Sequence, residues 1–66
     1  MIEINFQIVI YHYHIYKNNK LIGKIDTASD NDIEALSEFF QRLDSEQKNN
    51  ILKDNNAIFQ AKKVKT

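Results

Sequence analysis

The first sixteen residues constrain the fold more than any other stretch of this chain. They are rich in β-branched and aromatic side chains and alternate with period two. Ile2, Ile4, Phe6, Ile8 and Ile10 occupy the even positions, with the polar Glu3, Asn5 and Gln7 between them. From Val9 the apolar set moves to odd positions, Val9, Tyr11, Tyr13 and Ile15, while His12 and His14 take the even side. A one-residue change of phase sends every side chain to the opposite face, so it marks a bulge, a bend or a segment covered on both sides. Fifteen extended residues reach roughly 50 Å at ~3.3 Å each, too far for a compact domain of this size. The strand must therefore bend sharply or pair in part with another copy of the chain. One helix cannot cover two sheet faces, which favours a homodimer joined through Val9, Tyr11, Tyr13 and Ile15.

The rest of the chain reads as a single α+β domain spanning residues 1–66. Asn18-Asn19 lies between Lys17 and Lys20, and Asn tolerates the positive φ of a tight hairpin turn. A β-hairpin is expected over about 4–17 and 20–26, with Gly23 permitting a bulge or a close backbone approach. Ser29 or Asp30 caps the helix that follows, and Asp30, Asp32 and Glu34 suit the positive end of its dipole. Ile33, Leu36, Phe39, Phe40 and Leu43 form one apolar stripe, with Glu34, Glu38 and Gln41 opposite. Asp44 and Gln47 stand in capping-box position for a short second helix reaching about Leu52. Asp54-Asn55-Asn56 is a turn cluster, and a last strand begins at Ala57-Ile58-Phe59. The order is β-β-α-α-β: a small, mainly antiparallel sheet, hairpin plus C-terminal strand, with both helices on one face. The expected core is Ile4, Phe6, Ile8, Ile10, Leu21, Ile25, Ile33, Leu36, Phe39, Phe40, Leu43, Ile58 and Phe59.

Composition removes several classes of function. The chain has 66 residues, one Gly, and no Pro, Cys or Trp. Without cysteine there are no disulfides, no thiolate chemistry and no Cys-based zinc sites. The longest apolar run, Ile8 to Tyr11, is far short of the ~20 residues of a membrane-spanning helix, and the N-terminal residues lack the pattern of a secretory signal. A soluble cytoplasmic protein with no membrane partner is expected. Ile, Asn and Lys fill 26 of the 66 positions, a bias that suits an AT-rich bacterial or phage genome. Net charge is zero but unevenly spread: residues 27–46 carry a net −5 and residues 47–66 a net +4.

Candidate sites are few. His12 and His14 share a strand face at i,i+2 spacing that could seat two ligands of a metal, yet no third His or Cys completes the set. They are expected to face solvent or an interface, with no metal and no other cofactor. Ser29, Ser37 and Ser45 lie in helix-cap or helix-surface contexts without a nucleophile elbow. A single Gly excludes the Walker and dinucleotide patterns. No catalytic residues are expected, and the protein reads as non-enzymatic. Asp32 to Glu46 resembles the first helix of GNAT-type acetyltransferases. The glycine-bearing loop that binds acetyl-CoA pyrophosphate in that family has no counterpart, and two strands precede the helix where one is usual, so no activity is carried over.

The expected function is a small protein–protein interaction module, a bacterial or phage inhibitor or accessory protein whose partner meets an acidic helix face through Asp30, Glu34, Glu38 and Gln41. The alternative is a nucleic-acid-binding regulator using the lysine-rich C-terminal strand, Lys62, Lys63 and Lys65.

Overall fold

The computed structural model describes residues 2–4 and 7–65. Three strands form one antiparallel sheet: β1 (Tyr11–Lys17), β2 (Lys20–Thr27) and β3 (Phe59–Lys63). Their order is β2-β1-β3, so the first strand in sequence is the middle one in space. Two helices, α1 (Asp32–Gln41) and α2 (Ser45–Ile51), separate β2 from β3. The architecture is the α+β arrangement β-β-α-α-β.

The hairpin closes through Asn18 and Asn19, at φ 51° and 66°. Positive φ at both central residues is the two-residue turn whose twist matches the flanking strands. Asn18 also fastens the other edge of the sheet. Its backbone N–H donates to Ile58 O at 2.8 Å, and its Oδ1 accepts from Ile58 N at 2.9 Å. The β1–β2 register shifts between Ile15, opposite Gly23, and Tyr16, opposite Leu21. Ile22 is the extra residue of this bulge, beside the glycine.

The face of the sheet that meets α1 is set by Tyr13 and Ile15 of β1, which pair with Ile25 and Gly23 of β2 and with Lys63 and Ala61 of β3. Tyr13, Ile15, Ile25, Ala35 and Phe39 form the buried cluster, ringed by the partly buried Tyr11, Ile22, Leu36, Phe40, Leu43, Ile51 and Ala61. Gly23 is required where Phe39 crosses β2: a Cβ there would lie 2.6 Å from Phe39 Cε1. Tyr13 donates its hydroxyl to Ser29 O at 3.2 Å. Phe39 and Phe40 pack edge-on, as do Phe40 and Phe59.

The helix ends follow from local chemistry. Asn31 caps α1, its side chain accepting from Ile33 N and Glu34 N. The expected caps, Ser29 and Asp30, lie just outside; Ser29 instead bonds Thr27 Oγ1, Asn31 N and Glu34. The capping box of α2 is present, with Asp44 Oδ1 accepting from Gln47 N and Gln47 Oε1 from Asp44 N. No residue of α2 is buried.

Several expectations about the strands, the core and the dimer interface are corrected. The first strand begins at Tyr11 rather than near residue 4, and Ile4, Ile8 and Ile10 are exposed, at 70%, 78% and 48%. The change of phase at Val9 falls just before the paired strand, which starts at Tyr11, and not inside the ladder. Phe6 lies outside the described residues. Leu21, Ile33 and Ile58 are also exposed. Leu21 pairs with Tyr16 on the sheet face away from α1. The inward line of α1 runs through Ala35 and Phe39, which leaves Ile33 to one side. Tyr13 and Ile15, assigned by sequence to a dimer interface, are 2% and 0% exposed within the single chain. They cannot meet a second copy while α1 is in place. The last strand starts at Phe59, two residues later than expected, and thus includes Lys62 and Lys63.

Candidate functional site

The described residues N-terminal to Tyr11, the N-terminal arm, carry a run of exposed apolar side chains. Ile2, Ile4, Ile8, Val9 and Ile10 are 48–88% exposed, and residues 7–10 lead into β1 without a strand partner among the described residues. The long axis of the molecule is 56 Å, against roughly 23 Å for a seven-residue strand. The radius of gyration, 14.9 Å, exceeds the ~11 Å of a compact chain of this length. The only charged side chain in the first ten residues is Glu3. Such a run of uncovered isoleucine is rare on the surface of a lone soluble chain.

The second surface is the sheet face opposite α1. Here His12 pairs with Asp26, His14 with Lys24 and Lys62, and Tyr16 with Leu21 and Gln60. His12 Nδ1 lies in hydrogen-bond contact with Asp26 Oδ1 at 2.6 Å. His14 meets Tyr16 edge-on at 6.5 Å, and Lys62 Nζ lies 5.1 Å from the Tyr16 ring centre. Neither helix covers this face. Among the described residues, no group of three or more His, Asp or Glu side chains converges as a metal site.

The structure brings together only part of the acidic partner site read from sequence. Asp30 is ion-paired with Lys63 of β3, Glu34 accepts from the Ser29 hydroxyl, and Gln41 donates to Ser37. Glu38 is half-buried, with Oε2 sheltered and without a hydrogen-bond partner among the described residues. Several of these groups thus serve the loop between β2 and α1 and the packing of α1 on the sheet. Asp32 and Glu34 remain exposed in the first helical turn.

The lysines of the C-terminal strand do not form one patch. Strand alternation sends Lys62 to the open face, over Tyr16, and Lys63 to the α1 side, where it pairs with Asp30 and lies 4.7 Å from the Tyr11 ring centre. Lys65 follows the strand and is exposed. The arm was visible in sequence as an apolar run but was assigned to the core, because alternation identifies a face without saying what covers it.

Comparison with protein-family profiles, curated proteins and solved structures finds no match. The surfaces above therefore carry the functional reading by themselves.

Proposed function

We propose that this chain is a non-enzymatic protein–protein interaction module, acting in the cytoplasm as a small bacterial or phage inhibitor or accessory protein. The observation that carries the reading is the arm, in which five large apolar side chains stand exposed within nine residues. Burying such a surface against another protein is strongly favourable, at roughly 25 cal/mol per Å² of apolar area. The exposed acids at the start of α1 offer a second, charged contact at the end of the sheet where the arm joins β1. The nucleic-acid reading draws less support, because Lys62 and Lys63 face opposite ways and Lys63 is already paired with Asp30.

The test is capture from nuclease-treated bacterial lysate with three tagged chains: wild type, Ile8→Asp/Ile10→Asp, and Glu34→Lys/Glu38→Lys. The reading expects a discrete protein retained by the wild type and lost from the arm variant. Loss from the lysine variant as well would add α1 to the contact surface. Nucleic acid recovered before digestion, with no protein left after it, would transfer the function to the lysine-rich strand.

A further inference from the structure

We infer that the open face of the sheet, on the side away from α1, binds single-stranded nucleic acid. Bases stack on His14 and Tyr16, and Lys24 and Lys62 hold the phosphates. The site is separate from the arm and goes beyond the protein-interaction reading. It also differs from the three C-terminal lysines taken together, since Lys63 turns to the α1 side and pairs with Asp30.

The rings come first. Alternation along β1, the middle strand, puts His12, His14 and Tyr16 on the open face. The His14 and Tyr16 ring centres are 6.5 Å apart with their planes at 60°, so neither ring lies flat over the other. Lys62 Nζ stands 5.1 Å from the Tyr16 ring centre, above the ring, so Tyr16 turns a π-face toward an exposed and movable side chain. An aromatic face on an uncovered sheet accepts a base of any sequence, and both histidine and tyrosine serve in this way. Gln60, opposite Tyr16 on β3 and exposed, adds an amide that can bond a base edge.

Charge selects the occupant. His14 lies opposite Lys24 on one neighbouring strand and Lys62 on the other, and both lysines are exposed. With strands ~4.8 Å apart, the two ammonium groups flank the row of rings. Asp26 is the one acid in the three strands, and it is in contact with His12 Nδ1. Asp32, Glu34 and Glu38 belong to α1, on the other side of the sheet. A chain of zero net charge thereby turns a cationic side to an anionic strand. A duplex keeps its bases stacked on one another, whereas a single strand can splay them across the rings.

The experiment is fluorescence anisotropy of labelled oligo-dT and oligo-U, each titrated with the full chain. The wild type is expected to bind with a Kd of about 1–100 µM, the range of sequence-independent binding. Tyr16→Ala should weaken binding about five- to hundredfold, the loss of one base stack, while Tyr16→Phe keeps the ring and the affinity. Lys24→Ala/Lys62→Ala should lower the slope of log K against log salt by about 1.4, from ~0.7 per phosphate contact on a single strand. Lys48→Ala/Lys53→Ala removes the same charge from α2 and the residues after it, and should leave the slope unchanged. Should Tyr16→Ala lose its circular dichroism signature, the exposed lysine pair still decides. No binding up to about 100 µM chain overturns the inference. So does a duplex bound as tightly as the single strand, a folded Tyr16→Ala at wild-type affinity, or a slope lowered equally by both lysine pairs. A dimer in sedimentation that Tyr16→Ala dissolves, with no oligonucleotide bound, overturns it too and gives the face to a second copy.

Discussion

At the scale of single residues, the fold turns on how closely α1 approaches the sheet, and Gly23 sets that distance. The Phe39 ring tip occupies the space a side chain at position 23 would need, and Phe39 in turn packs edge-on against Phe40 at 5.8 Å. Gly23→Ala should therefore cost about 1–3 kcal/mol, the usual penalty of overpacking, read from denaturant midpoints. Phe39→Leu in the same chain should recover part of that cost, and a double-mutant cycle will show the coupling. Tyr13 makes a different kind of contribution. Burial, with smaller effects from Asp32, Tyr11 and Glu34, raises its phenol above the ordinary 10.0. The unfolded chain then releases this proton first. Stability tied to the neutral phenol is complete below pH 10 and is lost as pH rises through the higher folded value. Tyr13→Phe should flatten that alkaline decline relative to wild type in thermal melts across the alkaline range. It should cost no more than about 1 kcal/mol at neutral pH, since a single O–H donor is lost.

At the scale of elements, the strands depend on one another through the hairpin turn. Asn18 shapes the turn with its backbone φ and holds Ile58, just before β3, through both its backbone N–H and its side chain. Asn18→Ala should cost about 2 kcal/mol from the lost hydrogen bond and the disfavoured positive φ. Asn18→Gly keeps the φ and the backbone bond to Ile58 and loses only the side-chain hydrogen bond, so it should fall between Ala and wild type. Amide exchange should quicken more in β3 than in β2 for both variants. This turn was legible in the sequence because Asn-Asn between two lysines leaves few other conformations. So was the capping box of Asp44 and Gln47, which is chemistry contained within four residues. The N-terminus of α1 was harder to read, because Ser29, Asp30 and Asn31 are all competent caps. The choice of Asn31 is made by Ser29 bonding to Thr27 and Glu34, contacts that exist only once the loop is folded. Ala35 was missed as a core residue because a methyl group hardly registers in an apolar pattern. It is small enough to let α1 settle on the sheet with no exposure at all.

At the scale of the whole molecule, the element order and the α+β class were readable from periodicity, and the division between core and surface was not. The two candidate stripes of the first sixteen residues have similar composition, and only the covering helix distinguishes them. With α1 over Tyr13 and Ile15, the isoleucines before Tyr11 stay exposed among the described residues. Charge behaves in the same way: the acidic middle and basic end partly cancel across the body through Asp30 and Lys63, which no count along the sequence reveals.

The strand order has a consequence for how the chain is made. β1 is synthesised first and lies in the middle, pairing with β2 on one side and with β3, more than forty positions later, on the other. The hairpin has only local contacts to form and closes early, while the Tyr13–Lys63 and Lys17–Phe59 pairings wait for almost the entire chain. During translation the nascent hairpin therefore carries one open edge on β1 as well as the arm. The lysines of β3 arrive last, and the sheet loses that vulnerable edge only as the final strand leaves the ribosome.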